Sequence, residues 1–255
     1  MQRRGVRVET LTDRVAVAWI VMAVPVAMLL TRVSAPYGRH ARGGWGPMIP
    51  AWIGWVVMEA PAWLVPLGVA LVSSRRDPGA LVLLAMILLH YLHRDLIWPL
   101  RRRSGRDMPA TVAAMAVGFN LVNGSLQGAE LFLSGPARGL DVLSRPAGLL
   151  GLALFFAGMV VNIAADEVLL RLKRANGGHG VPTGPLFRWV SSPNYAGEIL
   201  EWIGFALVSG SWAGWSFAVW TAANLAPRAL THHRWYLDTF QDYPRERRAL
   251  IPFVL

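Results

Sequence analysis

Five stretches of this chain stay apolar for close to the length that a bilayer demands: Val15 to Thr31, Ile49 to Val72, Ala80 to Trp98, Ala110 to Leu133 and Ala147 to Leu170. A helix crosses the hydrocarbon core with about 20 such residues, so each stretch predicts a transmembrane helix. Two shorter runs, Gly197 to Val208 and Trp212 to Leu225, are separated only by Ser209, Gly210 and Ser211. They predict a tight helical hairpin, as two short spans or one re-entrant pair. The pattern as a whole predicts an all-α, polytopic integral membrane protein with about seven transmembrane helices in a single domain over residues 1–255. The one long polar connection, Arg171 to Pro193, carries Asn176, Gly177, Gly178, His179 and Gly180 together with Pro182 and Pro185; its turn residues predict a loop.

Composition agrees with that reading. The chain is 54% hydrophobic and 16% charged, outside the usual balance of a soluble domain. Its net charge of +10 comes almost wholly from arginine. These arginines sit at the ends of apolar runs, the pattern of membrane anchors, so no nucleic-acid partner is expected. Arg75, Arg76, Arg138, Arg145 and the basic amino-terminal tail fall on one side; Arg101 to Arg103, Arg106, Arg171, Lys173, Arg174 and most others fall on the opposite one. The positive-inside rule makes the richer side cytoplasmic, with the amino terminus outside and the carboxyl terminus inside. Heavy use of Arg, Ala, Gly and Val points to a GC-rich bacterium, hence to a bacterial inner membrane. A basic start, an apolar run and Val33-Ser34-Ala35 have the ingredients of a secretory signal. Glu9 and Asp13 interrupt its basic region, however, and the run exceeds the roughly 7 to 15 residues of such a signal. The segment is read as a retained span.

Several chemistries are excluded at once. The chain has no cysteine, so it forms no disulfide, thiolate metal site or cysteine nucleophile. Six histidines are too few for a membrane di-iron oxygenase, and no HExxH or GxSxG motif is present. No metal site is expected. Gly177, Gly178 and Gly180 do not follow a strand and fail the dinucleotide fingerprint.

Polar side chains at helical spacings interrupt the apolar background. Asn162 and Asp166 stand four apart, and Lys173 follows on the same face; the stripe suits ribose hydroxyls and phosphate, or a capped helix end. Asn194 and Glu198, with Glu201 one turn on, follow Ser192-Pro193, a helix start where amide groups point at a ligand or acidic residues answer the helix dipole. Arg228, His232 and Tyr236 form a third stripe; the adjacent His233 points about 100 degrees away. His90, Tyr91, His93 and Arg94 break the third apolar run, with Trp98 after them, and Glu59 breaks the second. Carboxyls are costly in hydrocarbon, so Glu59 reads as functional rather than as helix glue. Asn123, Gln127 and Glu130 suit glue and pocket lining equally.

From Val181 to Leu255 the chain closely resembles the carboxyl-terminal region of the steroid 5α-reductase family. The residues that carry this are Gly184-Pro185-Leu186-Phe187, Ser191 to Asn194, Gly197-Glu198-Ile199-Leu200-Glu201-Trp202-Ile203-Gly204, His232-His233-Arg234-Trp235-Tyr236, Asp242-Tyr243-Pro244 and Ala249-Leu250-Ile251-Pro252-Phe253. His90 to Arg94, Asn123 to Gly128 and Asn162 to Asp166 match in order and spacing, and the resemblance covers nearly everything after Trp52. It implies seven membrane helices, an amino terminus outside the cytosol, NADPH as cofactor and reduction of the Δ4 double bond of 3-oxo-steroids. Carried over by position, Glu59 and Tyr91 look like the pair that engages the C3 carbonyl. Asn162, Asp166, Asn194, Glu198, Arg228, His232 and Tyr236 resemble cofactor contacts, joined by Arg94, Trp98, Arg106 and Arg247. Lys173 stands where the family has an arginine near a phosphate, keeping the charge without the fork. Met58 and Met115 also depart from the pattern, at a Gln and an Arg position, which leaves the steroid side-chain preference open. The implied partners are the lipid bilayer and a hydrophobic, steroid-like substrate, with the chain acting as a monomer. Two other readings are an S-adenosylmethionine-dependent membrane methyltransferase of the isoprenylcysteine type and a sterol-binding protein without turnover.

Overall fold

A computed structural model of the chain describes residues 10–40, 42–102, 107–177 and 180–255. Its long helices are α1 (Leu11–Arg32), α2 (Ala51–Val72), α3 (Pro78–Tyr91), α5 (Ala110–Phe132), α7 (Pro146–Asn176), α8 (Pro193–Ser209) and α9 (Trp212–Thr239), with short α4 (Trp98–Arg101) and α6 (Asp141–Ser144) between them. Among the described residues four helical stretches are long and apolar enough to cross a membrane: Leu11–Arg32, Ala51–Val72, Pro78–Arg101 and Pro146–Asn176. The molecule is a helical membrane protein.

Local chemistry sets several helix ends. Thr10 caps α1, accepting from the Asp13 amide at 3.1 Å while the Asp13 carboxylate accepts from the Thr10 amide at 2.9 Å; the reciprocal pair satisfies two amides that would otherwise be orphaned. Pro193 at the first position of α8 needs no amide partner, and Ser211 caps α9 by accepting from Gly214 at 3.0 Å. The loop expected from Arg171 starts later than the sequence predicts. Helix α7 continues to Asn176 and stops at Gly177, whose φ of 64° is the left-handed turn that glycine adopts freely. Arg171, Lys173 and Arg174 favour a helix end, where cations answer the dipole. A second departure from the expected all-α pattern is a two-residue antiparallel ladder, β1 (Met48–Ile49) with β2 (Met108–Pro109), pairing Met48 with Pro109 and Ile49 with Met108. Each strand runs straight into a helix, so the ladder sets the starts of α2 and α5 side by side.

Three helix pairs build the bundle: α7 on α8, α2 on α5 and α1 on α9, with α8 also against α9. The first is a glycine seam. A Cβ on Gly158 would lie 2.5 Å from the Glu201 amide nitrogen and 2.5 Å from the Gly197 carbonyl oxygen; one on Gly151 would lie 2.6 Å from the Gly204 carbonyl oxygen. Backbone therefore meets backbone, the close approach that small residues permit between membrane helices. The Asn123, Gln127 and Glu130 face proves to be glue. Asn123 accepts from Trp19 of α1 at 3.0 Å, Gln127 donates to the Ala213 carbonyl of α9 at 2.7 Å, and Glu130 pairs with Arg138 in the loop after α5.

Candidate active site

Two cavities meet inside the bundle. The larger, about 750 Å³, is walled by helix ends: Trp98, Asp166, Lys173, Asn194 and His232, with Arg102 just past α4. The smaller, about 490 Å³, lies deeper among apolar side chains such as Val112, Phe119 and Trp220, and holds Glu59, His90 and Tyr91. Tyr37, Trp55, Arg94, Leu225 and Arg228 stand on both walls, so the two spaces adjoin.

The polar wall follows from the glycine seam. Close approach of α7 and α8 brings the Asn162–Asp166 stripe against the first turns of α8. Asn162 donates to the Asn194 carbonyl at 2.9 Å and to Glu198 at 3.3 Å, and Asn194 donates to Asp166 at 2.9 Å. Arg94 reaches this cluster from a π-helical turn, Leu92–Ile97, that follows α3. Such turns insert an extra residue and re-aim side chains. The Arg94 guanidinium lies 3.7 Å from both Asp166 and Glu198, and its carbon is 4.7 Å and 5.4 Å from the Trp55 and Trp98 rings. Trp55 donates back to the Arg94 carbonyl at 3.1 Å. One oxygen of Asp166, Oδ2, is buried and makes no hydrogen bond, only the 3.7 Å ion pair with Arg94, which leaves it acceptor capacity beside a cavity of cofactor size.

The opposite wall belongs to α9 and to the segment after α1. Arg228 donates to the Tyr195 hydroxyl at 3.0 Å and to the Tyr37 carbonyl at 3.3 Å, and its guanidinium carbon lies 3.8 Å from the Tyr37 ring centre. Burial pushes the Tyr37 phenol above its ordinary value, so it stays neutral beneath that cation. His232 stacks on His40 at 5.3 Å and tilts against Tyr195 at 5.6 Å.

In the apolar cavity Asn120 of α5 donates to the Met58 carbonyl at 2.7 Å and to Glu59 at 3.3 Å, holding the carboxyl of α2 from across the ladder-aligned pair. Tyr91 is 4% exposed and packs between His90 and Trp202, with ring centres 4.9 Å and 6.2 Å away. A phenol and a carboxyl on one largely apolar wall can grip a substrate oxygen and stabilise charge that develops there.

The structure brings together Arg94, Trp98, Asp166, Lys173, Asn194, Arg228 and His232 around the larger cavity, and Glu59, Tyr91 and Glu198 around the smaller. It does not bring Asn162, Tyr236 or Arg247 to either wall. Asn162 lies behind Asn194 and Glu198. Tyr236 is buried in a stack with Tyr243 at 5.2 Å, and Arg247 donates to the Pro182 carbonyl at 3.0 Å beside that same ring. The Arg228, His232 and Tyr236 stripe thus turns away from the ligand space over its length. Arg106 lies outside the described residues. Sequence reasoning passed over Tyr37, Trp55, Asn120 and Tyr195. Tyr195 has a local signal in its place beside Asn194, and Asn120 in its place three residues before Asn123 on the polar face of α5; Tyr37 and Trp55 belong to no polar stripe.

Known proteins resemble the chain over almost all of this architecture. It is 42% identical over 241 residues to a steroid 5-alpha-reductase of Arabidopsis thaliana, covering 90% of this chain and 91% of that protein. It is 40% identical over 253 residues to 3-oxo-5-alpha-steroid 4-dehydrogenase 1 of Bos taurus, covering 96% and 97%, and 39% identical over 246 residues to the Homo sapiens protein of the same name, covering 94% of each. The sequence model of one family matches residues 106–255, which hold the glycine seam, the α7–α8 cluster and the α9 wall. The chain belongs to the 3-oxo-5-alpha-steroid 4-dehydrogenase family.

Proposed function

We propose that this protein is an oxidoreductase that reduces the Δ4 double bond of 3-oxo-steroids, or of hydrophobic enones of similar shape, with NADPH. The observation that carries the reading is the shared wall. A polar cavity at helix ends and an apolar cavity with an acid and a phenol adjoin across Trp55, Arg94 and Arg228, so a polar reductant and a lipid-like acceptor can meet.

The residues present fit a phosphorylated dinucleotide. Arg102, Lys173 and Arg228 offer cations, Trp55 and Trp98 offer flat faces, and the Asp166 oxygen that faces Arg94 at 3.7 Å without a hydrogen bond offers an acceptor. Trp98, Asp166, Lys173, Asn194, Arg228 and His232 would hold it directly. Asn162 acts behind them, holding Asn194 and Glu198, while Tyr236 and Arg247 pack together on Tyr243. When bound, a reduced nicotinamide supplies hydride. The protein's own share is electrostatic. Tyr91 donates a hydrogen bond to the ketone oxygen, Glu59 steadies that end of the substrate, and the apolar wall keeps water away while charge builds on the oxygen. Loss of one such donor costs about 2.7 to 4 kcal/mol of barrier lowering.

The membrane setting follows the same logic. The protein is read as a monomer of seven spans in a bacterial inner membrane, amino terminus outside and carboxyl terminus in the cytoplasm, because its basic residues gather at the helix ends around the polar cavity. NADPH then reaches the larger cavity from the cytosol, and the enone reaches the smaller one from lipid.

Incubation of the purified protein with NADPH and a panel of 3-oxo-Δ4-steroids, followed by mass analysis, tests the reading. The expected product is heavier by two hydrogens. A thermal shift with S-adenosylmethionine and none with NADPH would instead support a methyltransferase.

A further inference from the structure

One buried acid and one imidazole meet at the edge of the apolar cavity without a role in gripping the ketone. His90 Nδ1 lies 3.0 Å from Glu201 Oε1. His90 is 4% exposed and Glu201 is 0% exposed, and the second Glu201 oxygen is buried without a hydrogen-bond partner. Two titratable groups at this distance hold a proton between them, and ionisable side chains this deep in a membrane protein are costly to keep without a task. The imidazole is also fixed in place, edge-on to Tyr91 at 4.9 Å and to Trp202 at 4.8 Å. With Nδ1 turned to Glu201, Nε2 is the polar atom that remains for the cavity, whose wall His90 joins.

Conjugate reduction needs such a group. Hydride addition to the β carbon breaks the C=C π bond and leaves an electron pair shared between the α carbon and the oxygen. The reaction finishes only when the α carbon gains a proton. Two other acids on this wall are engaged elsewhere, Glu198 with Arg94 and Asn162 and Glu59 with Asn120.

We propose that His90, backed by Glu201, delivers that proton to the α carbon, a role that rests on the enone-reductase reading above. The Nε2–H bond breaks, the electron pair of the enolate forms the new C–H bond, and the ketone C=O is restored. The imidazole is left neutral with Nδ1–H facing Glu201, and solvent reached through the adjoining polar cavity reprotonates it. The charged and titratable groups around His90 are Glu201 and Glu198 from α8, Tyr91, His93 and Arg94 from its own segment, and Glu59 from α2.

The test uses the full chain in lipid nanodiscs, with an enone that the wild type has first been shown to reduce. His90→Ala is expected to lower kcat by about 100-fold or more, the usual scale of a lost proton donor, with little change in KM, and added imidazole is expected to restore much of the rate. His90→Gln keeps a hydrogen-bonding side chain for Glu201 but carries no transferable proton; it is expected to match wild-type thermal stability and to stay slow. Ring 15N shifts of the cofactor-free protein supply a readout apart from turnover: both ring nitrogens of His90 carry protons in the wild type, and Glu201→Gln leaves one of them bare. Wild-type kcat in His90→Gln, or a slow His90→Ala that imidazole leaves slow, overturns the proposal. A wild type that reduces no enone would sink the functional reading instead, and because that panel is run first the two failures are distinct.

Discussion

Asn194 donates its side-chain amide to the Asp166 carboxylate across 2.9 Å, joining the first turn of α8 to the polar end of α7. Both residues stand on the wall of the larger cavity. A hydrogen bond to a charged group contributes about 1.5 to 3 kcal/mol, so Asn194→Ala is expected to weaken NADPH binding by about 10-fold to 100-fold. A fluorescence titration measures this, and wild-type affinity would remove Asn194 from the cofactor wall.

Tyr91→Phe removes one hydroxyl from the apolar cavity and leaves the packing against His90 and Trp202 in place. The expected result is a kcat lower by about 100-fold to 1,000-fold, the cost of one lost donor at a developing oxyanion, with unchanged NADPH affinity. Unchanged turnover on a true substrate would end the assignment of Tyr91.

Arg94 faces Asp166 and Glu198 at 3.7 Å each and is 8% exposed. Replacing it with Met leaves two buried carboxylates without their cation, a loss of about 3 to 5 kcal/mol. Arg94→Lys keeps the charge but not the planar stack on Trp55 and Trp98, and is expected to fall between wild type and Arg94→Met in melting temperature. Equal melting temperatures for all three would show that the cluster does not hold α3 to α7 and α8.

Gly158→Val tests the seam. The new side chain would begin 2.5 Å from Glu201 and Gly197 backbone atoms, so α7 and α8 must separate. Overpacking of this kind costs about 1 to 3 kcal/mol, and the separation also pulls Asn162 and Asp166 from Asn194. Both melting temperature and NADPH affinity are expected to drop. Gly118→Val, where an added Cβ meets nothing within 4 Å, serves as the control and should change neither.

Much of the site was legible in the chain because ionisable and amide side chains stand out against hydrocarbon. Spacing marks Asp166, Asn194, Arg228 and His232 as candidates, with a capped helix end or the helix dipole as the alternative at the first two. The family resemblance makes them cofactor contacts, and all four line the larger cavity. The same spacing picks out Tyr236, yet a stripe at intervals of four drifts around a helix of about 3.6 residues per turn, and its far end stacks on Tyr243 and does not line either cavity. It could not choose between glue and pocket for Asn123, Gln127 and Glu130, because that depends on which helix lies opposite. The end of α7 was misjudged for a local reason: Asn176 and the glycines after it look like a loop, yet the helix stops only where Gly177 turns left-handed.

Apolar run lengths and the spacing of polar side chains by themselves determined that this is a helical membrane protein, roughly where its long helices lie and which faces are polar, since each of these depends on neighbours within a few turns. Tertiary structure alone decided which polar faces meet. The glycine seam sets α7 and α8 in register, the ladder between Met48–Ile49 and Met108–Pro109 aligns α2 with α5, and the π turn swings Arg94 onto Trp55. These are contacts between residues far apart in the chain, and periodicity along one helix carries no information about the rotation or identity of its neighbour.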